Sequence, residues 1–273
     1  MTTFAQRRWR NSIITLFVAA VLIALHQNLE IALYESSVAS GWLLIFIVLG
    51  LIIFRIRKKI STVPLLSNAV WMQVHIYAGI LSILVFAYHI DWRIPSGYLE
   101  QVLGALFLIV AVSGLVGLVL VRILPRRLAR RGEEVIWERI PIFIAELRQA
   151  AEEVIQESAR ETHSTTIRDF YLTNLHSLFA KPRNVFLHLI ASDHPSVTVG
   201  RDFSTLSRYL NSKEREYADK LFELTEKKND LDFHYSLQLA LKAWLLAHVP
   251  LTYGLLILAV IHLILVYAFI GGL

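Results

Sequence analysis

Four histidines sit inside long apolar runs, and their spacing is the feature of this sequence best suited to chemistry. His75 and His89 lie fourteen residues apart in one run, and His248 and His262 lie fourteen apart in another. That spacing makes about four turns of α-helix and a rise of about 21 Å. Each pair therefore projects from nearly one face of its helix, at two heights. Ionisable groups inside a bilayer are costly and are functional candidates by default. Neutral imidazole ligates iron well, and a flat porphyrin held between two helices takes one imidazole from each side. With the two helices running in the same direction, His75 faces His248 and His89 faces His262. The spacing then predicts two bis-histidine b-type haems, one above the other across the membrane, with the four histidines as iron ligands. A lone membrane histidine is more often a hydrogen-bonding residue in a helix interface. Two matched pairs at matched depths are hard to obtain by chance.

The elements that must carry these residues are membrane helices. A helix needs about 20 mostly apolar residues to cross the bilayer core. Five stretches approach or exceed that: Trp9 to Leu29, Ser40 to Ile56, Val70 to Ile90, Leu99 to Leu124 and Leu241 to Phe269. They are unbroken rather than alternating, so they are helices and not barrel strands. The fold class expected is an all-α membrane bundle, with residues 1–124 as helices one to four, 125–240 as a mostly helical cytoplasmic insertion, and 241–273 as the fifth helix. The first run is read as an anchor rather than a cleaved leader. Arg7, Arg8, Arg10, Arg55, Arg57, Lys58, Lys59, Arg122, Arg126, Arg127, Arg130, Arg131 and Lys242 flank the spans on one side. Glu30, Glu35, Asp91 and Glu100 lie on the other, with Arg93 the one basic residue there. The positive-inside rule puts the N-terminus and the insertion in the cytoplasm and the C-terminus outside, in what is expected to be a bacterial inner membrane.

Composition agrees. Of 273 residues, 55% are hydrophobic and only 18% charged, against about a quarter charged in soluble domains. Mean hydropathy is +0.53 and the pI about 9.4. In so apolar a chain the excess of +5 reads as membrane-flanking charge rather than a nucleic-acid surface. With no cysteine, disulfides, zinc–thiolate sites, cysteine-held iron–sulfur clusters and covalent c-type haem are excluded within the chain. The insertion is nearly balanced in charge and has no dinucleotide, Walker, zincin or nucleophile-elbow motif. It reads as a docking or spacer domain: a helix over 133–157 interrupted at Pro141, which marks a boundary or a kink, another over 166–180, a strand or short helix over 184–191, a turn at 193–196, and a helix over 204–228. Asp230 or Asp232 is a candidate cap for a helix running into the fifth span.

Around the histidines, Ala78, Gly79 and Ser82 on the third span, and Gly254 and Ala259 on the fifth, are small enough to let a flat ring approach, or to let helices pack closely. Close packing also explains Gly104, Gly114 and Gly117. Pro250 is placed to bend the fifth helix beside His248. Haem propionates need cations: Arg93 outside, and Arg55, Arg57, Arg122 or Lys242 inside, although topology anchoring explains each equally well. Trp71 and Trp244 suit the membrane interface or a haem edge. His26 and Asp91 are candidates for proton transfer at an outer quinone site. His234, fourteen residues before His248, is read as an ordinary polar residue rather than a ligand.

With H-x13-H motifs at His75/His89 and His248/His262, the sequence resembles the dihaem membrane cytochromes b. It is similar to the cytochrome b of quinol–cytochrome c reductases and to the ferric reductase-like transmembrane domain, whose ligands also fall on the third and fifth spans. The likeness covers the spans and not the insertion. No sixth span, no flavin/NADPH domain and no Pro-Glu-Trp-Tyr-type quinol motif occur in these residues, so the chain is not expected itself to take hydride from a nicotinamide. The resemblance implies a transmembrane electron-transfer subunit of a larger oxidoreductase, exchanging with quinone and with subunits that carry flavin, iron–sulfur clusters or c-type haem. The alternatives are an outer-face ferric or oxygen reductase fed by a separate cytoplasmic flavoprotein, and a haem-free transporter or membrane sensor. Beyond these, membrane lipid is the expected partner and nucleic acid is not.

Overall fold

The computed structural model describes residues 4–31, 36–57, 67–131, 135–190 and 194–270. Glu35, Lys58, Lys59, Glu133 and Asp193 lie outside them, as do the side chains of Arg7, Arg8, Glu30, Arg55 and Arg57. Among the described residues the chain is helical, without strands. Five helices are long and apolar enough to cross a membrane. The chain divides into two compact units, Met1–Leu118 with Leu245–Leu273, and Val119–Trp244.

The first unit holds α1 (Phe4–Ile31), α2 (Ser36–Arg57), α3 (Asn68–His89), most of α4 (Tyr98–Leu128) and the C-terminal part of α10 (Ser212–Ile270). α3 packs most extensively on α2 and also on α1. The Ser67 hydroxyl accepts from the Val70 N–H at α3's start. At its end, the N–H of Trp92 donates to Ala87 O and that of Asp91 to Tyr88 O, a Schellman motif. Asp91 takes the left-handed position usually given to glycine, at φ 49°. The core between α2, α3, α4 and α10 is built on Phe86, Phe107 and Leu255, with the two phenylalanine rings stacked 4.2 Å apart. Large apolar side chains such as Phe17, Phe46, Leu246 and Phe269 face outward, as a lipid-facing surface requires.

The second unit contains α5 (Ile140–Thr162), α6 (Thr166–Phe170), α7 (His176–Ala180), α8 (Val185–Leu189), α9 (His194–Leu206) and the first half of α10. Some sequence expectations are sharpened here and others corrected. Pro141 marks a boundary rather than a kink: it sits in the first turn of α5, where its missing N–H costs nothing. Of the two readings open for 184–191, the described residues take the short helix, α8. The 166–180 stretch is one helical run with a π-turn at Tyr171–Leu175. The 204–228 helix is broken, because α10 starts afresh at Ser212. Asn211 and Glu214 form a reciprocal capping box there, with both bonds at 2.9 Å. Asp230 and Asp232 therefore cap nothing and lie inside α10. Asp232 instead pairs with Lys228 at 2.6 Å, both side chains almost fully buried.

Candidate functional site

The membrane unit brings the histidines of α3 and α10 together in the two expected pairs. His89 and His262 face each other with ring centroids 6.4 Å apart and ring planes at 80°. His75 lies within electrostatic range of His248. All four are half-buried.

A third helix positions one member of each pair. His89 Nδ1 lies 2.9 Å from the Ser37 carbonyl of α2. A carbonyl only accepts, so Nδ1 carries the proton and Nε2 keeps its lone pair. One turn along α2, a Cβ built on Gly41 would stand 2.9 Å from His89 Cε1 and 3.2 Å from Nδ1. Only a glycine leaves room for the imidazole there. Beside Gly41, the Trp42 Nε1–H donates to Tyr267 OH at 2.9 Å, which pins α2 to the end of α10 that carries His262. His248 is held in the same way by α4: its Nδ1 lies 3.1 Å from Ser113 Oγ, and Gly114 leaves its Cε1 in ordinary contact distance, 3.8 Å from a built Cβ. His75 lies near the backbone of Leu51 in α2. Metal-bound imidazoles are commonly oriented through the second ring nitrogen in this manner.

Comparison with protein-family models, curated proteins and solved structures gives no match.

The donor set can still be tested against the group the histidine spacing implies. A metal–imidazole bond is about 2.0 Å, and the ring centre lies about 1.1 Å beyond the nitrogen, so two rings on one metal have centroids about 6 Å apart. The His89–His262 spacing fits. No group of three or more His, Cys, Asp or Glu able to hold a metal ion occurs among the described residues. A haem iron needs only two from the protein, since its macrocycle supplies the rest. On the face of α3 between its histidines, a Cβ on Gly79 would meet nothing within 4 Å, which leaves space for a flat ring.

The other expected neighbours divide. Ser82 is buried and turns its hydroxyl onto Gly79 O at 2.8 Å. Gly254 and Gly104 face Leu106 and Phe86, so they serve helix packing. Pro250 lies within α10, and the Thr252 hydroxyl donates to His248 O at 2.8 Å. Arg93 is exposed in the turn after α3, and its described contact is a backbone bond to Ile90 O. Lys242 is withdrawn as a propionate partner: it pairs with Glu138 at 3.0 Å and lies over the Trp137 ring. His26 is buried against Tyr88, ring centroids 4.5 Å apart. His234 is buried in the second unit with Nε2 on Arg131 O at 2.8 Å, as an ordinary polar residue would be.

The residues not anticipated are those of α2 and α4: Ser37, Gly41, Trp42 and Ser113. The Ser-Ser-Val-Ala-Ser-Gly run at 36–41 and the Ser113-Gly114 pair were the available signals, since small residues mark close approach between membrane helices.

Proposed function

We propose that this chain is a transmembrane electron carrier of the dihaem cytochrome b type, in which His75 with His248 and His89 with His262 would hold two b-type haems. Haem so ligated on both faces supplies one-electron chemistry without an open coordination position. The observation that carries this reading is the facing His89–His262 pair at 6.4 Å, with the His89 tautomer set by Ser37. The chain's own residues do the positioning. Ser37 and Ser113 aim two of the imidazoles. Gly41 and Gly79 leave the space. The Phe86–Phe107 stack and Leu255 fill the bundle core with apolar groups and exclude water.

Electrons would enter and leave through other subunits, carrying flavin, iron–sulfur clusters or c-type haem, and through quinone. Quinone exchange couples electrons to protons, and Asp91 near His89 and His26 against Tyr88 are the protonatable groups that could serve it. By the positive-inside rule the N-terminus and the second unit lie in the cytoplasm and the C-terminus outside.

The test is direct. Protein purified from a haem-replete host should show a reduced b-type spectrum and two haems per chain. His75→Ala or His248→Ala should remove one haem and spare the other, and His89→Ala or His262→Ala should do the reverse. Haem-free protein from such a host refutes the reading. So does loss of both haems from every single variant that still folds.

A further inference from the structure

In the second unit, α8 is five residues long and two-faced. Phe186 and Ile190, four residues apart, are 71% and 58% exposed. The opposite side is anchored: His188 is buried, and Leu189 packs into a cluster with Leu120, Leu124 and Leu128 of α4 and Phe233 and Leu237 of α10. Arg127, in the last turn of α4, donates from its two terminal nitrogens to the carbonyls of His188 and Leu189, each at 2.6 Å. Those carbonyls are among the ones a helix leaves open at its C-terminal end. α8 is thus clamped to the last turns of a helix long and apolar enough to span a membrane, at the point where apolar sequence gives way to Arg126, Arg127, Arg130 and Arg131.

Single exposed apolar residues are normal on any protein surface. Two large ones on one face, fixed at the level where a span leaves hydrocarbon, are placed as an interfacial anchor is. The exposed charge flanking it is basic. Arg126, Arg130, Lys181 and Arg183 are exposed, and residues 181–190 contain no carboxylate. Cations at this level attract anionic headgroups.

We propose that α8 lies on the bilayer surface at the arginine-rich end of α4, inserting Phe186 and Ile190 among the lipids while the flanking cations meet anionic headgroups. The occupant of this face is lipid rather than a protein partner, because it sits at the end of an apolar span among exposed cations that complement anionic headgroups. The proposal rests on the spans alone and does not depend on haem.

The chain has no cysteine, so single labels are clean. Phe186→Cys, Ile190→Cys and, as control, Leu172→Cys, which replaces another exposed apolar residue of the same unit, would each carry an environment-sensitive fluorophore. The full chain would be placed in vesicles of phosphatidylcholine with and without phosphatidylglycerol. Labels at 186 and 190 should be blue-shifted, quenched by doxyl-labelled lipid and shielded from aqueous iodide, more strongly with phosphatidylglycerol. The label at 172 should be quenched by iodide. Three labels behaving alike overturn the proposal. So does iodide quenching at 186 and 190, or shielding there from both quenchers, which would report a protein partner.

Discussion

Replacing Gly41 by alanine should damage one histidine level and leave the other alone. The new Cβ would stand 2.9 Å from His89 Cε1, where ordinary contact begins at 3.4 Å, so the ring must retreat by about half an ångström. That retreat stretches the Nδ1 to Ser37 bond from 2.9 Å past good hydrogen-bond length, a loss of about 1 kcal/mol. Overpacking adds roughly 1–2 kcal/mol. The sum, about 2–3 kcal/mol, corresponds to roughly 30- to 150-fold weaker retention of the group at the His89–His262 level, in keeping with the effect of losing a supporting partner at metal sites. The assay is haem transfer to excess apomyoglobin, followed with the low-spin electron paramagnetic resonance signals of the two levels. Gly41→Ala should release one haem faster and shift one signal, and Gly41→Val should lose that haem outright. If both variants keep two haems with unchanged release and signals, the Gly41–His89 contact does not support a haem ligand.

Gly79→Ala meets open space in the protein alone. It should stabilise haem-free protein by roughly 0.5–1 kcal/mol yet lower haem content, and unaltered haem content would show that no ring lies against that face. In the second unit, Lys228→Met alone should destabilise by about 3–5 kcal/mol by stranding Asp232, whereas Lys228→Met with Asp232→Leu should recover most of this. Thermal unfolding of the singles and the double decides it, and equal destabilisation by both would count against a buried pair. Burial, reinforced by Arg131, Lys228 and Arg127, holds the His188 imidazole down at about 4, so the unfolded chain takes up its proton first on acidification. Stability from this group is therefore complete above about pH 6.5 and falls by about 3 kcal/mol as pH drops towards 4. Asp232, pushed up to about 6 by burial, acts in the opposite sense in that window. The His188 contribution is thus read as wild type minus His188→Leu in pH-dependent unfolding, and a difference that does not change with pH refutes it.

The spans were legible because membrane helices announce themselves by length and apolarity, and the histidine register because helical periodicity converts fourteen residues into one face. What stayed hidden was tertiary or local. α2 reads as one more apolar run, and nothing in its composition says that Ser37 offers a carbonyl to a residue 52 positions away. The break before α10 was visible in principle as Asn-Ser-Lys-Glu at 211–214, a capping-box spacing, but the charged pattern runs through it and the helical period masked the stop. Asp232 read as a cap because aspartate favours helix starts. Its actual partner, Lys228, is one turn earlier on the same helix, a spacing that suits either an exposed pair or a buried one, and burial is decided by what packs above it.

The plainest competing account of facing membrane histidines is a hydrogen bond between them. Two imidazoles joined by an N–H···N bond of at most about 3.2 Å have centroids no further apart than about 5.4 Å, allowing about 1.1 Å from each nitrogen to its ring centre. His89 and His262 are 6.4 Å apart, so they are not bonded to each other. Nor is the His89 ring drawn away by its other nitrogen, since Nδ1 is already satisfied by a neighbouring helix and Gly41 has been left bare to admit it. A protein that needed only helix adhesion would gain more from apolar packing than from two imidazoles that do not touch, because desolvated polar groups cost free energy unless paired. The spacing and the tautomer suit the proposed pair of ligands, which is why the glycine on α2 is the sharper test than the histidines themselves.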